Sequence, residues 1–560
     1  MADDLTKLLN DLNLDLDAVG DPKMRGCLAA LLNIIQQLSA ENTRLREENQ
    51  RLKDEIARLK GEQGRPNIKP NAKGGRSNVS SQKRRKQKNP RVPRQKMVEV
   101  DRTVPCPVDL GTLPEDAIYK GTETKVVQDI VFRRDNVAFE REKYWSPSLN
   151  KVFYGPLPKG YGDYSFGPGV RALVIALYYA TGASEPKILE LLASRGVQMS
   201  SGELSNLLIH DVEVFHEECA EVHQAGLDSS PWQQIDDTST RVNGVNSYCH
   251  VLGNPLYTIY RTMPRKDRPT VLAVLRGTET PRYLVNEVAV ALAAELGVRG
   301  AILSWFQRLL PWGQELDEAV FNQRYETPLG FVPRDTKRKL YEAAALAAYR
   351  AQTDATVVRT LLGDDARQFD EVTEERTLCW VHDGRHYAKL TPAVAQFQQE
   401  LEAFQDRYWD FYRELRTYRQ SPSPAEATRL EQDFDTLFST EVMYDELADR
   451  IAKTKAHKAK LLLVLSHPEL PLHNNDSELA ARQRVRKRDV SFGPRTIAGA
   501  RAWDSMQSVL GTAKKLAVSV YDYIEDRVTG RREVPRLADL IKQRAAELNL
   551  GGSWSPTVPT

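Results

Sequence analysis

The first regular pattern along the chain is a heptad. Leu31, Leu38, Leu45, Leu52 and Leu59 fall seven apart, and Ile35, Asn42, Asn49 and Ile56 take the alternate seam position. Charged residues (Arg44, Arg46, Glu47, Glu48, Arg51, Lys53, Asp54, Glu55) flank the stripe. Leucine at one seam position with asparagine at the other favours a two-stranded parallel coil, each Asn fixing register at some cost in stability. Residues 30–61 are therefore expected to self-associate. The plainer alternative is one long amphipathic helix packed on its own domain, for which the seam is narrow.

Residues 99–168 read as short strands (VVQDIVF from Val126, NVAFEREKYW from Asn136, KVFYGPLP from Lys151) punctuated by Gly and Pro. A helical block follows. Ser184 caps one helix that Gly196 ends, and Ser200 or Ser201 caps the next. Two short helices around a glycine turn fit a helix-turn-helix, and equally any compact helical pair. From Trp232 the period switches to two: QQIDDTSTRV, NSYCHVLGN and LYTIYRTMP predict an antiparallel meander. After a helix-rich stretch to Arg359, TVVRTLLGDDARQF predicts a strand ending at Asp364-Asp365, and RTLCWVHDGRHYAKL a strand running into a helix. Residues 391–460 read as a helical hairpin turning at Ser421–Pro424, and His473-Asn-Asn-Asp-Ser-Glu478 opens a basic helix. Antiparallel strands followed by strand–helix units added in parallel describe a mixed sheet of the ribonuclease H kind, interrupted twice by helices.

The expected fold class is thus multidomain α/β. It comprises a coiled-coil segment (1–62), a basic linker (63–98), a β-rich module (99–168), helix-turn-helix-like helices (169–225), a ribonuclease H-like core in three parts (226–280, 361–390, 469–530), helical insertions (281–360, 391–468) and a tail (531–560). With 560 residues, 41% of them hydrophobic, the chain can build several cores. No apolar run reaches the roughly 18 residues of a membrane span. The N-terminus begins with Asp3 and Asp4, unlike a signal peptide. The cysteines (Cys27, Cys106, Cys219, Cys249, Cys379) are scattered with no CxxC pair, which argues against a disulfide framework or zinc ribbon and for a reduced cytoplasm.

The net charge of +2 conceals a stretch, Gly64 to Val98, that has twelve Lys and Arg and no acid. Its densest run is Lys83, Arg84, Arg85, Lys86 and Lys88. Such a block repels itself unless a polyanion neutralises it, so it is either a solvated linker or a DNA-binding arm. Arg482, Arg484, Arg486, Lys487 and Arg488 on the last helix are a second set of expected phosphate contacts.

Three acids fall at the ends of elements of the expected sheet: Asp236, Asp364 and Glu478. Metal-assisted phosphodiester cleavage needs hard oxygen ligands, and two ions about 3.5–4 Å apart can activate the attacking oxygen and stabilise the leaving one. Structural alternatives exist for each. Glu478 follows Asn475 at capping-box spacing, Asp364 could cap a turn, and Asp236 could be an edge-strand charge. His382 and His386 have helical metal-ligand spacing but no third ligand. His382-Asp-Gly-Arg385 also matches the HxxR of tyrosine recombinases, with Tyr521 or Tyr523 as nucleophile, although these lie over a hundred residues downstream. The preferred reading has His382 and Arg385 contacting phosphate or supporting the sheet beside Asp364, and Cys379 and Trp380 filling core.

In order along the chain, IDDTSTRVNG, LLGDDARQF, CWVHDGRHY and HNNDSELAARQRVRKRD resemble the motif blocks of insertion-sequence-66-type transposases. With the coil, the arm and the SEPKILELLASRGVQMSSGELSNLL region, the resemblance covers roughly residues 30–525. It implies a bacterial DDE-type enzyme in which Asp236, Asp364 and Glu478 hold two Mg²⁺ or Mn²⁺ ions. It would hydrolyse transposon ends and join the freed 3′-hydroxyls to target DNA, as a dimer or larger, with accessory proteins as possible partners. Asp237 and Asp365 stand beside two of the acids and could replace them. Where the family has Glu-Arg this chain has Glu478-Leu479, and Cys106-Pro-Val-Asp lacks the partner of the family's zinc knuckle. The rival functions are a structure-selective nuclease on the same core and a catalytically silent DNA-binding or architectural protein.

Overall fold

A computed structural model describes residues 16, 18–59, 100–114, 116–130, 132–158, 160–161, 165–309, 311–325 and 329–554. The basic run from Lys83 to Lys88 lies outside them. Rich in Leu, Gln, Arg, Glu and Lys, which lose little rotamer freedom in a helix, the heptad segment forms α1 (Pro22–Leu59). Its first half docks on the chain itself. Leu28, Leu32 and Ile35 pack against the helices of the 391–468 insertion. Asn33 donates to Met443 O (2.8 Å) and accepts from Asp445 N (3.1 Å), while Gln36 donates to Thr391 O (3.1 Å) and accepts from Ala393 N (2.7 Å). Packing on its own domain therefore holds for the early turns, and it takes the seam residue Ile35 with it. Beyond them Leu38, Leu45, Leu52 and Ile56 are exposed.

Between 100 and 168 one hairpin forms, β1 (Lys143–Ser146) with β2 (Lys151–Tyr154). Among the described residues of the strand expected from Val126, none is in a strand. A strand needs a neighbour to take its backbone groups, and here Val127 and Ile130 stand exposed with no sheet beside them. The helical pair is α2 (Glu185–Ser194) and α3 (Ser201–Ile209). Gly196 closes α2 at φ +74°, and Ser200 opens α3 with a full capping box to Glu203.

The alternating segment gives β3 (Trp232–Val242), β4 (Val245–Asn254) and β5 (Tyr257–Met263), antiparallel, with Asn243-Gly244 both at positive φ in the first turn. A short pair, β6 (Arg282–Leu284) and β7 (Glu315–Asp317), lies within the helical segment that follows. Then β8 (Thr360–Gly363) adds to β3 in parallel and β9 (Glu375–Leu378) to β8, so the mixed five-stranded sheet runs β5-β4-β3-β8-β9. β9 leads through Cys379 into α4 (Trp380–Ala388). The expected hairpin at 391–460 forms from Ala395–Tyr418 and Pro424–Leu437 about its Ser421–Pro424 turn, and a third helix, Asp445–Ala456, joins an aromatic core that receives Trp380. α5 (Asn475–Ser491) then packs on β3 and β4, and α6 (Ile497–Lys515) on β5. Both insertions leave the sheet and return to it, so the end of β8 and the start of α5 converge on the middle of β3. No helix among the described residues is long and apolar enough to cross a membrane.

Candidate active site

A cavity of about 170 Å³ opens at this convergence, lined by Asp236, Asp364, Cys379, His382, Arg385, Asn474, Glu478 and Arg482. The three acids singled out in the sequence, and both supporting residues, share it. Side chains alternate across a strand, so Asp236 and Asp237 point to opposite faces. Asp237 is taken up elsewhere, accepting from Gln368 Nε2 (2.7 Å) with Lys266 at 3.5 Å. Asp365 is half-exposed beside His457 (3.7 Å) and does not line the cavity.

Burial pushes the Asp236 carboxyl up to about 7, with Asp364, Glu478 and Asp237 adding like charge, although the Asp237 N–H bonded to it at 2.8 Å pulls the other way. Asp364 follows β8, its Oδ1 accepting from Ala366 N (3.1 Å), and Arg376 donates to its carbonyl. Glu478 sits in the first turn of α5, where Arg385 Nη2 donates to one carboxylate oxygen at 2.7 Å. The other, Oε1, is buried with no hydrogen-bond partner.

Glu478 does not close a capping box. Asn474, not Asn475, precedes the helix, and its side chain makes no cap bond. It turns instead to β3, donating from Nδ2 to Ile235 O (2.7 Å), while its N–H donates to Cys379 Sγ (3.2 Å) and its Oδ1 stays buried without a partner. Cys379 Sγ also accepts from His382 N at 3.4 Å, and burial raises its thiol to about 11. Sequence reasoning put Cys379 in the core and gave Asn474 no role; the only signal for the latter was its place in the HNND block. Trp380 is fully buried, as expected.

His382 and His386 rings lie 5.7 Å apart, and burial brings His386 down to about 4. Among the described residues no three His, Cys, Asp or Glu side chains stand at ion-holding spacing, the acidic trio included. Neither Tyr521 nor Tyr523 lines the cavity. Tyr523 is buried and accepts from Arg527 Nη2 at 2.8 Å, so the nucleophilic-tyrosine alternative lacks its geometry.

Two of the expected DNA contacts on α5 are corrected. Arg484 is 1% exposed, donates to Thr240 Oγ1 (3.2 Å) and Thr262 Oγ1 (3.3 Å), and lies 4.3 Å above the Trp503 ring. Lys487 is buried 3.5 Å over the Tyr178 ring, and desolvation lowers it to about 8. A helix lying on a sheet must bury one face, and here that face includes two cations seated on aromatic rings and hydroxyls. Arg482 and Arg486 are exposed, and Arg488 donates to Ser239 O at 2.6 Å.

Residues 346–502 match the model of the transposase IS66 family, a stretch that holds every cavity-lining residue except Asp236. The uncharacterized protein y4jO of Sinorhizobium fredii is 31% identical over 327 residues, which are 57% of this chain and 99% of that relative. The chain belongs to the IS66 transposase family. Family membership points to transposition as its activity. In this IS66-family chain the matched stretch supplies β8, α4 and α5, which bring all but one of the lining residues to the cavity.

Proposed function

We propose that the chain is a DDE-type transposase that cleaves transposon ends and joins their 3′-hydroxyls to target DNA, with Asp236, Asp364 and Glu478 as ligands of two Mg²⁺ or Mn²⁺ ions. The observation carrying this reading is that three carboxylates from β3, β8 and α5 line one cavity together with Arg385 and Arg482. The donor set suits a hard divalent cation. It offers carboxylate oxygens, one of them (Glu478 Oε1) buried and unpartnered, and the unpartnered Oδ1 of Asn474, which lines the same cavity. When bound, the ions would activate the attacking oxygen and stabilise the leaving one. Arg385 orients Glu478 by holding one oxygen and leaving the other free. Arg482, exposed at the mouth, is placed to contact a phosphate.

The strand order, an antiparallel meander extended by two parallel strands with one acid inside β3 and another just after β8, supports a ribonuclease H-like core. α2 and α3 suit a helix-turn-helix reader of transposon ends. The exposed leucines of α1 suit a parallel coil that makes the protein at least a dimer, with one DNA end per protomer, and the basic linker binds duplex DNA as an arm. Cytoplasmic location follows from a DNA substrate, and accessory transposition proteins are possible partners.

Asp236→Asn, Asp364→Asn and Glu478→Gln should each abolish cleavage of end-containing duplexes while leaving binding nearly intact. Near-wild-type cutting by one variant would remove that residue from the set and point to Asp237 or Asp365. Cutting without strand transfer by the wild-type chain would favour a nuclease, and binding without either would favour an architectural protein.

A further inference from the structure

The turn after α5 carries a feature that neither the fold nor the acidic cavity uses. Phe492 ends the helix at φ +57°, a left-handed conformation that is an outlier for a bulky side chain, and its ring is 86% exposed. Val490 (58%) and Ile497 (83%) are exposed around it. The loop is nonetheless held firmly. Gly493, at φ +90°, lies so close to β3 that a Cβ there would meet Arg241 O at 2.6 Å, and Asn243 N donates to Pro494 O at 3.0 Å. The apolar tip is thereby fixed to the strand that bears Asp236 as well as to the helix that bears Glu478. Strain retained by a well-tied loop is found where a side chain must be presented.

The surroundings identify what it is presented to. From the cavity, exposed Arg482 and Arg486 follow Glu478 at four-residue steps along one face of α5, and Arg241, Arg495 and Arg501 are exposed near the loop. Asp489 is the single acid between Glu478 and Asp504. Cations bordering an apolar ring suit a polyanion that also has apolar faces, which describes nucleic acid with an unstacked base. We propose that Phe492 is a wedge that stacks on a base displaced from the duplex. The fourteen residue steps from Glu478 to Phe492 span about 21 Å of helix, so with the helix laid along the duplex the contact falls about six base pairs from the cleaved phosphate. The inference rests on the transposase reading and adds a base contact to it. Aromatic wedges of this kind unstack a base step and bend the duplex.

The test uses the full-length chain with Ca²⁺ as the only divalent ion. The probes are a matched end-containing duplex and the same duplex with 2-aminopurine in a single mismatch about six base pairs from the cleavage point. A base already unstacked costs less to displace, so the wild type should prefer the mismatch by roughly tenfold and raise its fluorescence. Phe492→Ala should lose the preference and the fluorescence rise while still binding the matched duplex, and Phe492→Trp should restore both. Wild-type preference retained in Phe492→Ala would overturn the wedge and leave the transposase reading untouched. Failure of the wild type to bind any duplex would overturn both. Loss of self-association by Phe492→Ala in light scattering, with DNA fluorescence unchanged, would assign the tip to a contact between copies and overturn the wedge.

Discussion

Asn474 joins three parts of the site with one side chain and one N–H: the β3 carbonyl next to Asp236, the Cys379 thiol before α4, and the first turn of the helix that carries Glu478. Asn474→Ala strips the Ile235 carbonyl of its buried donor. It should cost about 1–3 kcal/mol in urea unfolding and lower cleavage further than stability alone accounts for. Equal rates for mutant and wild type at matched folded fraction would limit Asn474 to stability. His223 shows how burial couples the fold to pH. It is fully buried, its Nε2 lacks a partner, and desolvation brings it down to about 3. The unfolded chain takes up a proton near pH 6.5 that the folded chain refuses. Stability is therefore retained above 6.5 and lost as pH falls toward 3, by roughly 1.4 kcal/mol per pH unit for this group. His223→Leu should show a shallower loss between pH 6.5 and 5 in denaturant titrations; an identical slope would place the proton uptake elsewhere.

At the scale of elements, the leucines of α1 divide into a docked set and an exposed set, and the proposed coil uses the second. Leu32 is 4% exposed against the helical insertion, whereas Leu45 and Leu52 are about half exposed. Leu45→Asp with Leu52→Asp should leave each protomer's thermal transition unchanged and yield monomers by light scattering, because a coil would have to bury those charges at a cost of several kcal/mol. Leu32→Asp should instead lower the transition temperature by undocking α1 from the insertion. Dimers that survive the double substitution and still pair two DNA ends would assign pairing to another surface. α5 divides its residues in a similar way: Arg484 seats it on the sheet and Lys487 on Tyr178, and Arg482 and Arg486 stay exposed.

Across the whole molecule, the proposed function assigns affinity to the basic arm and chemistry to the acidic cavity. Removing Gly64 to Lys96 should weaken binding to any duplex and flatten its salt dependence. If half of the twelve basic residues touch phosphate, a slope of about −5 in log K against log salt is lost, at about −0.9 per contact. An unchanged slope after deletion would make the arm a linker. The sequence by itself determined what repeats locally. The heptad, the alternation of β3 to β5 and the capping of α3 could be read because period, turn chemistry and residue type are carried by neighbouring positions, whereas Asp236, expected at an element end, lies inside β3. The strand expected from Val126 failed for want of a partner, and partners are chosen at long range. Only the tertiary structure decided that Asp236 faces the cavity while Asp237 bonds to Gln368, that Asn474 reaches β3 in place of capping α5, and that Arg484 and Lys487 lie inside. Each outcome depends on which side of an element another part of the chain covers, and composition along the helix gives every arginine the same appearance until a sheet lies against one face of it.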